Sequence, residues 1–134
     1  MGFFNRVILL GNVTRNPEVR YIPGSGTAVA RFGLAVNRRY KAGNETKEEV
    51  CYIDIVAFSK LGEFCGEFLT KGVSVLVEGR LSFRTWEQDG VKKSKHEIIA
   101  ENIQLVWKKD KSDVNDMMAE SFDSTGIEEE DLPF

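Results

Sequence analysis

The sequence predicts an all-β fold, a small barrel of five strands with one short helix between the third and fourth. Five segments alternate apolar and polar residues or carry short β-rich runs, whereas a 3.6-residue apolar period occurs in one segment alone. Alternation is typical of half-buried strands, and the longer period is typical of amphipathic helices. Clusters of Pro, Gly and Asn between these segments supply the expected turns.

The first three strands are predicted to be separated by two polar connections. The first runs from Arg6 to Val13, because the apolar run inside it is too short for a typical helix. The second follows the turn signal Pro23-Gly24-Ser25-Gly26 and runs from about Ala28 to Asn37. The third spans Val50 to Phe58, and the charged stretch Arg38 to Glu49 is predicted to be a long, mobile hairpin loop.

The helix is predicted after Phe58, where apolar residues fall at i, i+3, i+4, i+7 and i+8. Ser59 is expected to cap its start and Gly72 to close its end. The members of its apolar face are Leu61, Phe64, Cys65, Phe68 and Leu69.

The fourth and fifth strands are predicted over Val73 to Thr85 and over His96 to Trp107, with a turn at Gln88-Asp89-Gly90 between them. The core-facing residues of the fourth strand are expected to be Val73, Val75, Val77, Leu81 and Phe83. The other phenylalanines on apolar faces, Phe32, Phe64 and Phe68, are also expected in the core.

Five strands with one helix between the third and fourth is the order of the OB-fold, a Greek-key barrel whose exposed face binds oligonucleotides or oligosaccharides. A plain β-sandwich is the alternative. The lone amphipathic helix favours the barrel, because it can close one barrel end and a sandwich has no need of it.

The charge distribution divides the chain into two parts. Residues 1–111 carry all 18 Lys and Arg residues and 13 of the 21 Asp and Glu residues, a formal charge of +5, while residues 112–134 carry the other eight acidic residues and no basic ones. An acidic segment with few large apolar residues is typical of a disordered interaction tail. We therefore predict a folded domain over 1–111 and a disordered acidic tail over 112–134.

The sequence offers no signal for a membrane or secretory protein. No stretch approaches the roughly 18 consecutive apolar residues of a membrane span, and the start lacks the basic region of a secretory signal. The protein is expected in the cytoplasm.

No catalytic residue, metal site or cofactor is predicted. Cys51 and Cys65 form no CxxC pair and are expected to be two buried thiols. An OB-fold nuclease using Asp54 with Glu78 or Glu101 is one alternative, although these carboxylates have no recognisable metal-binding spacing. A pure protein-interaction adaptor is the other alternative.

Aromatic side chains interleaved with basic ones predict a site for single-stranded nucleic acid, which presents bases and phosphates in alternation. Arg84 and Trp86 share one face of the fourth strand, Tyr52 and Phe58 share one face of the third, and Tyr40 lies among basic residues of the predicted loop. The alternative for each of these aromatic rings is that it packs in the hydrophobic core and does not contact nucleic acid. The residues predicted to bind the single strand are Tyr40, Tyr52, Phe58, Trp86, Arg20, Arg38, Arg39, Lys60, Lys71 and Arg84, with Arg31 and Lys92 to Lys95 as further positive charge. Trp86→Ala is expected to weaken binding with little change in salt dependence, and Arg84→Ala to flatten the salt dependence.

Nearly the whole chain resembles the bacterial single-stranded DNA-binding protein family. The resemblance lies in Asn5-Arg6-Val7-Ile8-Leu9-Leu10-Gly11-Asn12, Asn16-Pro17-Glu18-Val19-Arg20-Tyr21, Ala30-Arg31-Phe32, Phe58-Ser59-Lys60-Leu61-Gly62-Glu63, Leu69-Thr70-Lys71-Gly72, Val77-Glu78-Gly79-Arg80-Leu81 and Asp131-Leu132-Pro133-Phe134. The family's stacking aromatics fall on Tyr40, Tyr52, Phe58 and Trp86, although its best-known members have tryptophan where this chain has Tyr40 and Tyr52.

The resemblance implies a homotetramer of OB-folds that wraps single-stranded DNA during replication, recombination and repair. It also implies that the tip Asp131-Leu132-Pro133-Phe134 recruits enzymes of those processes, with Phe134 entering a hydrophobic pocket rimmed by basic residues. A further hypothesis is that the acidic tail screens the basic DNA groove of its own assembly.

Overall fold

A computed structural model describes residues 2–107, which form a closed barrel of five long strands with a sixth short strand at one edge. Within this range the chain contains one helix, between the fourth and fifth strands. The elements in chain order are β1 (Val7–Val13), β2 (Glu18–Tyr21), β3 (Ala28–Ala42), β4 (Glu45–Phe58), α1 (Ser59–Phe68), β5 (Ser74–Gln88) and β6 (Val91–Trp107).

The barrel closes because β1 pairs with two strands. It runs antiparallel to β5 from Val7 to Asn12 and reaches β3 at Asn12 and Val13. The remaining order is β5-β6-β4-β3, in which β4 and β6 are parallel and the other pairs are antiparallel. This is the predicted OB-fold, and a single sheet closed on itself excludes the two separate sheets of a sandwich.

The core lies inside the barrel and beneath α1. Phe32, Leu34 and Ile55 are fully buried there, together with Val75 and Val77 of β5 and Val73 just before it. Helix α1 covers one barrel end through Cys65 and through Leu69 just beyond it. A Cβ at Gly62 would come within 2.8 Å of the Ala57 carbonyl oxygen, so glycine allows this close approach of helix and strand.

The predicted loop from Arg38 to Glu49 is wrong, because this segment continues the β3–β4 ladder. The two strands pair from Val29–Phe58 out to Ala42–Glu45 and turn through two residues, of which Gly43 has φ 66°. Beyond the barrel both faces of the hairpin meet water, so its side chains are polar and the apolar alternation is lost. Cross-strand ion pairs such as Arg38–Glu49 at 2.8 Å accompany this extension.

The β5–β6 hairpin also projects beyond the barrel. β4 pairs with β6 only between Asp54 and Val56, so the outer halves of β5 and β6 have each other as their only strand neighbours in residues 2–107. The predicted core positions Leu81 and Phe83 are therefore wrong: both are exposed, and Phe83 packs on the His96 ring with centroids 4.9 Å apart.

The last strand starts at Val91 rather than near His96. The intervening turn is confirmed, with Asp89 at φ 54° and Gly90 at φ 78°, the two positive φ values typical of a tight hairpin turn.

The predicted helix ends also require correction. The chain passes directly from β4 into α1, so the cap position falls on Phe58, and Ser59 makes no capping hydrogen bond. The helix ends at Phe68 with Leu69 as its C-cap, whereas Gly72 lies in the following turn and donates its N–H to the Val13 carbonyl.

Three burial expectations differ from the structure. Phe64 is half-buried against Phe68, which is 46 % exposed, because α1 covers only the barrel end with the residues nearest to it. Cys51 is exposed because it lies on the projecting hairpin, while Cys65 is buried as predicted.

The short strand β2, which pairs with the start of β3, was not predicted because four residues carry too little alternation.

The expectations for the tail, including the boundary near residue 111 and the tip Asp131 to Phe134, lie outside the described residues. Within residues 2–107 the one helix, of ten residues, is too short to cross a bilayer.

Candidate nucleic-acid interface

One side of the barrel carries a continuous surface that crosses five strands. Register places Arg20, Val29 and Phe58 in one row and Gly33, Asp54 and Glu97 in another, so these residues share a face. The β5–β6 pairs Arg84–Lys95 and Trp86–Lys93 continue it. We call this surface the open face; its members are Arg20, Val29, Arg31, Tyr52, Asp54, Phe58, Arg84, Trp86, Lys93, Lys95 and Glu97.

Three of the four predicted aromatic rings lie on the open face. Tyr52 is 71 % exposed, and Phe58 is 41 % exposed at the end of β4. Trp86 is half-buried, with the Arg84 guanidinium carbon 4.4 Å from its ring centroid. The core alternative does not hold for Tyr52 or Phe58, because neither ring is buried.

Tyr40 is placed differently. It pairs with Lys47 on the projecting β3–β4 hairpin, and its parity matches that of Leu34 and not that of Tyr52. Its ring is half-buried, with the Arg38 guanidinium carbon 4.7 Å from its centroid. The structure therefore brings Tyr40 together with Arg38 but not with the three rings of the open face.

Asp54 lies at the centre of the open face with a cation on either side. The Lys95 ammonium is hydrogen-bonded to it, and Arg15 Nη2 lies 3.5 Å from its other oxygen. Partial burial by itself would raise the pKa of the Asp54 carboxyl, but the hydrogen bond and charge of Lys95, followed by those of Arg15, outweigh it and lower that pKa.

Glu97 forms a second cluster beside Asp54. Its side chain is 3 % exposed, Arg31 Nη1 lies 3.1 Å from Oε2, and Arg84 Nε lies 3.3 Å from Oε1. The Arg31 contact is a hydrogen bond, whereas the Arg84 contact has the distance of an ion pair without hydrogen-bond geometry. Each carboxylate of the open face thus holds two cations.

Arg20 lies at the β2 edge of the open face. It is paired with Glu18, and both side chains are largely exposed. Glu18, Arg20, Val29 and Arg31 line an open depression of about 380 Å³ next to Phe58. This depression offers charged groups beside a ring.

The remaining predicted basic residues lie around the open face or beyond it. Arg38 and Arg39 belong to the projecting hairpin, paired with Glu49 and with Glu48 at 3.9 Å. Lys60 is exposed in the first turn of α1, and Lys71 is exposed in the turn after it, where its backbone N–H donates to Asn16 Oδ1.

Sequence reasoning missed Arg15 and the roles of Asp54 and Glu97. The parity of Asp54 with Tyr52 placed it on the same face, but nothing in the chain indicated which cations it would meet. Arg15 lies outside β1 and β2, so no strand period pointed to it. Its position against β4 depends on the tertiary fold.

The carboxylates considered for a nuclease do not come together. Asp54 is bound to Lys95 and Arg15, whereas Glu78 and Glu101 both lie against Arg6. Residues 2–107 contain no group of three or more His, Cys, Asp or Glu side chains able to hold a metal ion. The chemistry available on the open face is stacking and charge pairing: flat rings beside cations, spaced along a strand-crossing surface.

The sequence and the structure of this chain are similar to those of known single-strand binding proteins. Residues 4–106 match the model of the single-strand binding protein family. A single-stranded DNA-binding protein of Helicobacter hepaticus is 42 % identical over 93 % of this chain and 74 % of its own length. One from Helicobacter pylori is 47 % identical over 79 % of this chain and 60 % of its own length. A crystal structure of a deletion mutant of the single-stranded DNA binding protein from Thermus aquaticus superimposes with a TM-score of 0.68 and 36 % identity, over 77 % of this chain and 50 % of that one.

Proposed function

This chain belongs to the single-strand binding protein family, and on that premise we propose that it binds single-stranded DNA without reading base sequence. Binding of this kind holds and protects exposed strands during replication, recombination and repair. The protein acts in the cytoplasm at the nucleoid, where those strands arise.

The observation that carries this proposal is the placement of Tyr52, Phe58 and Trp86 on one face among cations. Stacking on such rings contributes about 1 to 3 kcal/mol per base and tolerates every base, since each has a π-face. Arginine and lysine side chains between the rings neutralise phosphates, which releases counterions and makes affinity fall with salt. Stacking does not involve counterions, so that part of the affinity persists at high salt.

A titration with unlabelled oligothymidine tests the proposal. Binding of a base to Trp86 should quench tryptophan fluorescence stoichiometrically at low salt, and duplex DNA of the same length should compete poorly. Gel analysis of the same samples should show intact strands, since we assign no catalytic step to this protein. Absence of quenching and of any mobility shift would refute the assignment, and strand cleavage would favour the nuclease alternative.

We extend the proposal to a homotetramer. β1 pairs with β3 only at Asn12 and Val13, so residues 7–10 have no strand partner on that edge within the described chain. Ile8 on this strand is largely exposed. An open edge beside an apolar side chain is a template for pairing with a second copy. Light scattering should give four times the chain mass at micromolar concentration, and a monomer mass would contradict the assembly.

The acidic tail completes the proposed function, although it lies outside the described residues. Glu128 to Asp131 would repel phosphates, so we assign them to basic partners, and Leu132, Pro133 and Phe134 supply an apolar anchor for replication and repair enzymes. The same charge would compete for the open face. Deletion of residues 112–134 should therefore strengthen DNA binding at low salt and remove binding to such enzymes; unchanged DNA binding would argue against the competition.

A further inference from the structure

Glu97 is the one buried polar or charged residue in the described part of the chain. A buried carboxylate is costly unless charged partners surround it. Here two arginines reach it from different strands, Arg31 from β3 and Arg84 from β5. Glu97 therefore joins the two sides of the open face.

Arg84 connects this carboxylate to the aromatic surface. Its Nε lies 3.3 Å from Glu97 Oε1 and is shielded from solvent, and its guanidinium carbon lies 4.4 Å from the Trp86 ring centroid. One planar group thus contacts a buried anion and an indole at once. A guanidinium held between a carboxylate and an indole is restricted in the positions from which it could reach a phosphate.

We propose that Glu97 is a positioning residue for DNA binding, which holds Arg84 over the Trp86 ring so that the two side chains act as one stacking platform. This rests on the proposed function and changes the role expected of Arg84 from the sequence, which was phosphate contact. Arg84 covers one face of the indole and the other face receives the base. A ring held in place loses less conformational freedom when the base binds, and the cation–π contact adds to its stability.

Arg84→Lys tests this assignment while preserving the charge. Lysine serves a phosphate as well as arginine does as a point charge, but it lacks the planar group that spans the carboxylate and the ring. For oligothymidine we expect roughly 2- to 5-fold weaker binding at every salt concentration, with an unchanged slope of log K against log salt. Affinity equal to that of the unaltered protein throughout the salt series would overturn the proposal.

Glu97→Gln gives the complementary result. With the anchoring charge gone, Arg84 and Arg31 become free to meet phosphates, so the salt slope should steepen by about 0.7 for each arginine that does so, up to about 1.4, while affinity at high salt falls. Glu101→Gln is the matched control: it lies on the same strand, carries the same charge change and contacts Arg80 at 3.7 Å in a half-exposed position. It should leave affinity at high salt unchanged. A parallel response of the two variants would contradict a specific role for Glu97.

A readout without DNA separates this inference from the proposed function. In a Trp107→Phe background Trp86 is the only indole of the chain. Acrylamide quenching of its fluorescence should increase in both Arg84→Lys and Glu97→Gln, because the covering guanidinium moves away. If the unaltered protein failed to bind DNA, the proposed function would be wrong. The quenching measurement would still show whether Glu97 holds Arg84 over the Trp86 ring. If Glu97→Gln did not fold, Arg84→Lys alone would decide.

Discussion

Tyr52 offers the most direct test of the open face, since it is 71 % exposed and lies on the same face as Phe58. Tyr52→Ala removes a flat surface that contributes about 1 to 3 kcal/mol per stacked base, so the Kd for oligothymidine should rise about 5- to 150-fold. Because the ring buries little surface within the chain, the free energy of unfolding should change by less than about 1 kcal/mol.

Tyr21→Ala is a matched control for the same change of side chain. Tyr21 is 60 % exposed at the end of β2, and its register with Ala28 places it on the opposite side of the sheet from Arg20. Its loss should change the Kd by less than about 2-fold, because no base reaches it in the proposed mode. Tyr52→Phe, which keeps the flat ring, should retain most of the affinity.

The assay is fluorescence titration over a series of salt concentrations, with urea unfolding of each variant. Tyr52→Ala should shift the log–log salt plot downward in parallel, because stacking releases no counterions. Equal losses for Tyr52→Ala and Tyr21→Ala would contradict the stacking role of Tyr52. A change of slope without loss at high salt would also refute it, because Tyr52 would then act through charge.

The remaining predictions concern stability and reactivity. The lowered pKa of Asp54 means that its carboxylate stabilises the folded state above the unfolded pKa of about 3.9, and that this contribution is lost as pH falls through the folded-state pKa. Asp54→Asn should therefore flatten the dependence of the unfolding free energy on pH below about pH 4. An unchanged dependence would contradict the pairing of Asp54 with Lys95. Gly79→Ala should destabilise the fold by roughly 1 to 3 kcal/mol in urea unfolding, because a Cβ there would overlap the Ile99 backbone. Gly2→Ala is the control: a Cβ at Gly2 meets open space, so the unfolding free energy should not change. Cys51 should react with a thiol reagent in the native protein and Cys65 only after unfolding, because burial raises the pKa of the Cys65 thiol to about 12; two fast thiols would contradict that burial.

The barrel and its strand faces were predictable because local periodicity reports burial. Alternation assigned Ile53, Ile55 and Ala57 to one side of β4 and Tyr52 and Phe58 to the other, and the structure has them so. The same rule failed at Leu81 and Phe83. Periodicity tells which residues share a face, but the neighbouring strand that would cover that face belongs to the tertiary fold.

The prediction of a loop from Arg38 to Glu49 was wrong for a related reason. Arg38 to Glu49 has no apolar period because neither of its faces meets the core, yet the backbone ladder continues to the Ala42–Glu45 pair and cross-strand ion pairs accompany it. Strand pairing through the backbone requires no apolar side chain, so polarity did not exclude it. Tyr40 was expected in a loop and lies instead on the strand face opposite to that of Tyr52.

Patterns along the chain were enough to predict the barrel architecture, the family resemblance and the aromatic residues expected to stack, and they show the difference in charge between residues 1–111 and 112–134. Alternation had already put Tyr52 and Phe58 on one face, but the tertiary fold was needed to add Trp86 to that surface and to separate Tyr40 from it. The tertiary fold also decided that Asp54 and Glu97 each hold two cations, with Arg15 among them. The physical reason is that burial patterns repeat along the chain and can be read locally, whereas a charged side chain finds its partner across strands that are distant in sequence.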